Sequence, residues 1–288
     1  MNLLSHFQRA SRPGETPALF VTGANERFRP IVEIQRAHLE RLGYRSLCFD
    51  LGGLGCGPTL TVDDSEFQAR GHYHERHGWK TRALHKPALV ARALEAVGDG
   101  EVVVYLDGDA ICYERVDELA GPGFDIGATV RWRWERGMTA DFRAYMGRFN
   151  AGVIVFRKTP ATARFVTAWA AKTEELGNDQ RALNALLNPR QREVAIDETF
   201  DAAGITARAF DGMIYNNPEK FVGRPQKIVH YKSQSWQHHL QAHGDLPPRP
   251  STPRERLRGL ADSARWALEM QLGAARHELR LLILGPRP

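Results

Sequence analysis

Two aspartates separated by a single glycine, Asp107 and Asp109, close an apolar run in the stretch YLDGDAI. Carboxylates at that spacing can share one divalent cation. Hard ions such as Mg²⁺ and Mn²⁺ take oxygen ligands and commonly bridge protein carboxylates to the phosphates of a substrate. A D-x-D pair alone is a common feature of solvated surfaces. Here it follows Glu101 to Leu106, a β-branched run that reads as a strand buried at the centre of a sheet. Open α/β sheets bind ligands at the carboxyl ends of their strands, so both the chemistry and the position suit a site. His72, His74 and His77 in GHYHERHGW have a spacing that could interest zinc, but no cysteine or obvious fourth ligand is nearby in sequence. The Gly52 to Gly57 loop resembles a dinucleotide fingerprint only loosely, because PTLTVDD rather than a helix follows it, and it reads as a turn.

The elements that must position the aspartates are legible upstream. Ala18 to Ala24 is a short apolar run ending at a glycine turn, and Ile31 to Leu42 behind it has helical periodicity. A second strand is predicted over Arg45 to Asp50. A helix is predicted within Lys80 to Val97, where Leu84, Ala88, Ala91 and Leu94 share a face and Pro87 marks a short turn ahead of the helix proper. Alternating strand and helix favours an α/β fold with a parallel sheet covered on both faces. Beyond Leu106 the pattern loosens. Strands are predicted over Asp125 to Arg131, Ala151 to Phe156 and Ile228 to Tyr231, and helices over Ala161 to Glu175 and Asp179 to Leu187, the second closed by Pro189.

The 288 residues, 42% hydrophobic and 25% charged, can bury a substantial core, as one large domain or one domain with an appendage. No apolar run approaches the roughly 20 residues that cross a bilayer. The first residues, MNLLSHFQRASRPGETP, lack the apolar core of a secretory signal, and cytoplasmic residence is expected. Cys48, Cys56 and Cys112 form no close pair and are expected to be reduced and structural. A net charge of +5 is mild. It fits phosphate-bearing ligands or an anionic membrane surface and does not call for nucleic acid. The domain boundaries are expected at 1–242 for a catalytic domain, 243–255 for a proline-rich linker and 256–288 for a C-terminal tail. In the tail Leu257, Leu260, Ala264, Leu268, Leu272, Ala275, Leu279 and Leu282 recur every three or four positions, as in one long amphipathic helix. Seven arginines from Arg254 onward against four acids leave two readings open: packing on the catalytic domain or a second copy of the chain, and peripheral membrane contact.

Four motifs in series carry a family resemblance: YLDGDAI, FNAGVIVF from Phe149, NDQRALNALL from Asn178 and IVHYKS from Ile228. In order and approximate spacing they resemble the retaining glycosyltransferases of the GT-A fold, above all the family 8 galactosyltransferases and their relatives. The likeness covers roughly residues 80–236. It implies a Rossmann-like central sheet with flanking helices that binds a nucleotide-diphosphosugar, with a UDP-sugar as the expected donor and Mn²⁺ or Mg²⁺ as cofactor. It implies Asp107, Asp109 and His230 as metal ligands, and Lys232 as a further positive charge against the phosphates. In the family the corresponding lysine often lies several residues farther on. Arg82 and Lys86, four apart, resemble the basic helix that contacts phosphate or donor sugar, and a solvated helix face would look the same. Asn150 would present its amide near the acceptor, and Gly152 would allow close backbone approach. Asp179 and Gln180 match the Asp-Gln pair near the reacting sugar carbon, Gln180 stabilising charge on the sugar and Asp179 binding hydroxyls. Asn178 or Asp179 could equally be a helix N-cap. Were the reaction inverting, Asp179 would be the general base.

Outside the motifs, Asp125 is a candidate for holding donor-sugar hydroxyls or an acceptor, and RWRWERG from Arg131 is either a sugar-stacking surface or a hydrophobic lid or interface. The acceptor is a hydroxyl of a glycan, a lipid-linked glycan, a protein or a small molecule. Two other enzyme classes fit less well. A haloacid-dehalogenase phosphohydrolase would place its D-x-D near the start of the fold and a hydroxyl residue soon after it, where Ala110, Ile111 and Cys112 stand. A sugar nucleotidylyltransferase would carry a glycine-rich basic loop after Val21, where TGANERF has one glycine and one arginine before its phenylalanine. A noncatalytic carbohydrate- or partner-binding protein on the same scaffold would have no chemical need for Asp107, Asp109, Gln180 and His230 together.

Overall fold

A computed structural model describes residues 18–51, 59–61, 85–131, 146–190, 192–217 and 226–231. The strands in chain order are β1 (Ala18–Ala24), β2 (Arg45–Asp50), β3 (Thr59–Thr61), β4 (Val102–Leu106) and β5 (Ala110–Cys112). They continue with β6 (Ile126–Val130), β7 (Phe149–Arg157), β8 (Thr199–Ala202), β9 (Ile205–Asp211) and β10 (Ile228–His230). The helices are α1 (Arg29–Arg41), α2 (His85–Glu95), α3 (Pro160–Leu176), α4 (Asp179–Leu187) and the single turn α5 (Gly212–Tyr215).

Eight strands form one mixed sheet in the order β3-β2-β1-β4-β7-β6-β9-β8, and β10 pairs with β5 in a separate ribbon. The first four are parallel. Strand β7 runs against both β4 and β6, β9 runs with β6, and β8 closes the edge as a hairpin with β9. All five residues of β4 are buried. Val103 and Tyr105 face the cluster built with Leu89 and Val90 of α2, Phe165 and Trp169 of α3, and Leu183 of α4. Val102, Val104 and Leu106 face the other layer, with Leu39 of α1 and Phe124. A strand sandwiched between two layers must be apolar on both faces, which is why VVVYL shows no alternation. Each fully buried valine there contributes about 1.5 to 3 kcal/mol relative to exposure.

The helices begin where local chemistry allows. Pro30 and Pro160 occupy first-turn positions in α1 and α3, where a missing N–H costs nothing. Pro87 likewise lies in the first turn of α2 rather than breaking it. Thr159 caps α3 by accepting from Thr162 N, and Asn178 caps α4 by accepting from Arg181 N. Strand β7 is longer than expected at both ends, and it bulges. Ala128 pairs with Ile154 but Thr129 with Asn150, so Ala151, Gly152 and Val153 leave the ladder with β6. Strands β3, β5, β8 and β9 and the turn α5 were not expected. Ala203 and Gly204, both with positive φ, form the tight turn of the β8–β9 hairpin, for which glycine is suited. Among the described residues no helix is long and apolar enough to cross a membrane. Cys48 and Cys112 are buried free thiols, and burial pushes the Cys112 thiol up to about 12. The 243–255 linker, the 256–288 tail, Cys56, the Gly52 to Gly57 loop and the His72, His74 and His77 cluster lie outside the described residues.

Candidate metal centre and active site

Asp107 leaves β4 at its carboxyl end, and its N–H donates to Gly152 O at 2.8 Å on the looped-out part of β7. Ala110 N donates back to Asp107 O at 2.9 Å, closing a tight turn that turns both aspartates to one side. Strand β5 starts at once, and its partner β10 lays His230 opposite Ala110. Tyr231 N donates to Asp109 O at 2.8 Å, which completes the clasp. One ligand atom each from Asp107, Asp109 and His230 lies within 4.8 Å of the others. His230 Nε2 is 3.0 Å from Asp109 Oδ1 and 3.5 Å from Asp107 Oδ2. Ligands about 2.1 Å from one ion and adjacent around it stand about 3 Å apart, so these atoms fit a single hard cation. Two carboxylates and an imidazole suit Mn²⁺ or Mg²⁺ better than a soft metal. Burial opposes the charge on Asp109, but His230 beside it outweighs that and holds the carboxyl below its usual range.

A second group meets the first through Lys86, in the first turn of α2. Its Nζ lies 2.8 Å from Asp107 Oδ1 and 2.9 Å from Asp179 Oδ2, and donates to Ala151 O at 3.2 Å. Burial works against this ammonium, yet Asp107 and Asp179 keep it charged well above the usual lysine range. Asp179 shows the opposite balance. Burial, with Asp107 nearby, raises its carboxyl despite the lysine. The N-cap of α4 is Asn178, which leaves the Asp179 side chain for this cluster. Gln180 accepts from Arg131 Nη2 at 3.2 Å and donates to Met146 O at 3.2 Å. Asn150 Oδ1 accepts from Gly152 N at 2.8 Å, while its buried Nδ2 finds no acceptor among the described residues. Gly152 also lies under the imidazole: a Cβ there would overlap the His230 ring, so this position tolerates no side chain.

The structure thus brings together Lys86, Asp107, Asp109, Asn150, Asp179, Gln180 and His230 at the carboxyl edge of β4. Asp125 is elsewhere. It precedes β6 at the opposite edge, where Oδ1 accepts from Thr159 Oγ1 at 2.9 Å and Oδ2 from Thr206 N at 3.0 Å. Its carboxylate ties β6, β9 and α3 together. Arg82, Lys232 and the RWRWERG segment past Arg131 lie outside the described residues. Lys86, expected against phosphate or the donor sugar, lies between two carboxylates.

Four further residues shape the site without having been singled out. Gln35, on the buried face of α1, donates to Asp107 O at 3.1 Å and Ala110 O at 2.5 Å, bracing the aspartate turn. Asn184 of α4 donates to Phe149 O at 2.8 Å and accepts from Phe149 N at 2.7 Å, fixing the start of β7. Asn216, after α5, contacts His230 Nδ1 at 2.7 Å, and Thr129 contacts Asn216. A polar residue inside an apolar helix stripe was the available signal for Gln35 and Asn184.

Among solved structures, the chain is similar to an active-site mutant of LgtC, with a TM-score of 0.50 and 14% identity over 81% of this chain and 98% of that one. The chain has the GT-A glycosyltransferase fold. At 14% identity the likeness is one of fold alone. Two further neighbours score lower. One is the galactosyltransferase LgtC in complex with donor and acceptor sugar analogues, at 0.45 and 14% identity, covering 84% of this chain and 99% of that one. The other is a glycosyltransferase involved in glycosylation of the major capsid of PBCV-1, at 0.48 and 11% identity, covering 80% of this chain and all of that one (100%). No protein-family model matches the chain, and no curated protein matches it in sequence. On the GT-A fold, the Asp107, Asp109 and His230 group sits where the central parallel strand ends, the edge at which open sheets take their ligands.

Proposed function

We propose that this protein is a metal-dependent glycosyltransferase that moves a sugar from a nucleotide-diphosphosugar, a UDP-sugar by preference, to a hydroxyl acceptor with retention of configuration. The observation that carries the reading is the Asp107, Asp109 and His230 group on a GT-A fold, three ligand atoms within 4.8 Å at the end of β4. Bound there, Mn²⁺ or Mg²⁺ would supply Lewis-acid neutralisation of the charge on the departing diphosphate. The chain's own groups then have separable roles. Asp107 and Asp109 orient and charge the site. Lys86 ties Asp107 and Asp179 together through one shared ammonium. Gln180, with its amide held by Arg131 and Met146 O, offers a fixed dipole to the sugar. Asn150 Nδ2, a buried donor, is available to a sugar or acceptor oxygen. Asp179 binds sugar hydroxyls. Lys232 and Arg82 are proposed as further phosphate contacts, and the 256–288 tail as an element for self-association or for peripheral attachment on the cytoplasmic face of a membrane.

The test is thermal stability against UDP, other nucleoside diphosphates and their sugars, each with Mn²⁺ and with a chelator. A ligand that binds only the native state raises the melting temperature by mass action. A rise that is selective for one nucleotide and needs the metal supports the reading and names the base. Asp109→Asn should abolish that rise and lower donor turnover by about 1,000-fold, the scale of several kcal/mol of charge stabilisation. No shift with any nucleotide, or full turnover in Asp109→Asn, would sink it. A metal-dependent shift without donor cleavage would instead favour a noncatalytic binding protein.

A further inference from the structure

The bulge in β7 has polar consequences that reach the imidazole. With Ala151, Gly152 and Val153 out of the β6 ladder, two main-chain carbonyls turn toward Thr129: Oγ1 lies 3.3 Å from Asn150 O and 3.5 Å from Val153 O. A carbonyl only accepts, so the hydroxyl hydrogen of Thr129 points to them and its lone pairs are left for another donor. That donor is Asn216 Nδ2, at 2.6 Å. The amide is thereby oriented, and its other end, Oδ1, is set 2.7 Å from His230 Nδ1. Oδ1 accepts and cannot donate, so Nδ1 must carry the proton. Both side chains are buried, Asn216 at 2% and His230 at 5% exposure, so water does not compete for these bonds.

We propose that Asn216, oriented by Thr129, is the positioning residue of the metal site: it keeps the His230 proton on Nδ1, so that Nε2 is the ring nitrogen offered to a divalent cation between Asp107 and Asp109. The proposal rests on the metal-dependent reading above. A turned amide would put its NH₂ against Nδ1 and force the proton onto Nε2, and a protonated nitrogen is no ligand. Gly152 completes the device, since the ring's Cε1 and Nδ1 occupy the space where a Cβ would stand. Partners of a ligating histidine's second nitrogen typically change metal affinity by about 10- to 100-fold.

The experiment measures Mn²⁺ affinity of the full chain by calorimetry, without nucleotide, together with the melting temperature in chelator. Asn216→Leu should raise the Mn²⁺ Kd about 10- to 100-fold. Thr129→Val, which removes the hydroxyl that orients the amide but keeps its shape, should raise it in the same direction by less. Asn216→Asp retains an acceptor for Nδ1–H and should bind Mn²⁺ within about threefold of the unaltered protein or more tightly. Should the leucine variant fail to fold, the other two variants decide: retained binding in Asn216→Asp with weakened binding in Thr129→Val supports the proposal. Unchanged affinity in Asn216→Leu or, failing that, in Thr129→Val overturns it, as does an Asn216→Asp variant that folds yet binds no better than a site without an acceptor. An unaltered protein that binds no Mn²⁺ would overturn the metal reading itself, whereas normal binding with indifferent variants would overturn this inference alone.

Discussion

At one edge of the sheet, ahead of β6, the carboxylate of Asp125 is bound on both oxygens by neutral donors from Thr159 and Thr206. At the opposite edge, after β4, Asp107, Asp109 and Asp179 crowd around one ammonium and one imidazole. The first arrangement is complete: the charge is spent on joining three elements. The second holds more negative charge than its own donors balance, although burial disfavours charge there. Carboxylates assembled at that edge, with the imidazole, form a group that could hold a cation from outside the chain. A chemically identical residue therefore closes a structural junction at one end of a strand and joins a candidate metal site at the other.

The largest effect on stability should come from Lys86→Met, which leaves the buried Asp179 and the half-buried Asp107 without their shared counter-charge. Removing one partner of a buried pair costs about 3 to 5 kcal/mol. Urea unfolding in chelator should show that loss, and saturating Mn²⁺ should recover more of it in the variant than in the unaltered protein. Because the Lys86 pKa lies above the usual lysine range, its contribution is fully present below about pH 10 and is lost only as pH rises through the raised value. An unchanged unfolding midpoint would remove Lys86 from the charge balance.

Next comes Asp125→Ala. Two bonds to a charged acceptor disappear, and a loss of about 2 to 3 kcal/mol is expected, with Mn²⁺ affinity untouched. Weakened metal binding in this variant would break the contrast between the two edges. The smallest change belongs to Glu118, half exposed and paired with Lys227 and Tyr215 on the surface. Burial opposes its charge, but the bonds from Lys227, the backbone and Tyr215 together with the lysine charge outweigh it and hold the carboxyl below its usual range. A depressed carboxylate stabilises above its unfolded pKa and ceases to as pH falls through the folded one. Glu118→Gln should therefore cost under about 1 kcal/mol at pH 7, and the difference should shrink as pH falls below about 4 and through the lowered folded value. A difference that grows in acid would contradict that sign.

Legibility followed the range of the interactions. Strands β1, β2 and β4 and helices α1, α3 and α4 agree with expectation to within a few residues, because each is encoded by periodicity and caps within its own segment. Strands β5 and β10 are three residues each and stable only as a pair, so β5 had no local signature to read. The alternation in ITARAFD and the turn at Ala203 and Gly204 are local signals for β8 and β9. For Asp125 strand direction was the available clue: a residue that precedes a strand lies at its amino end, away from the edge where β4 delivers Asp107.

The sequence by itself determined the α/β alternation, the buried strand with its two aspartates and the ordered motifs that resemble GT-A transferases, since these depend on residue type and spacing along the chain. The tertiary structure decided the rest. His230 reaches Asp109 through a two-stranded ribbon, Lys86 is shared between carboxylates from β4 and α4, and Thr129 and Asn216 meet 87 residues apart in the space opened by the β7 bulge. Such contacts have no local periodicity, because a hydrogen bond specifies the positions of two atoms in space and leaves the length of chain between them free.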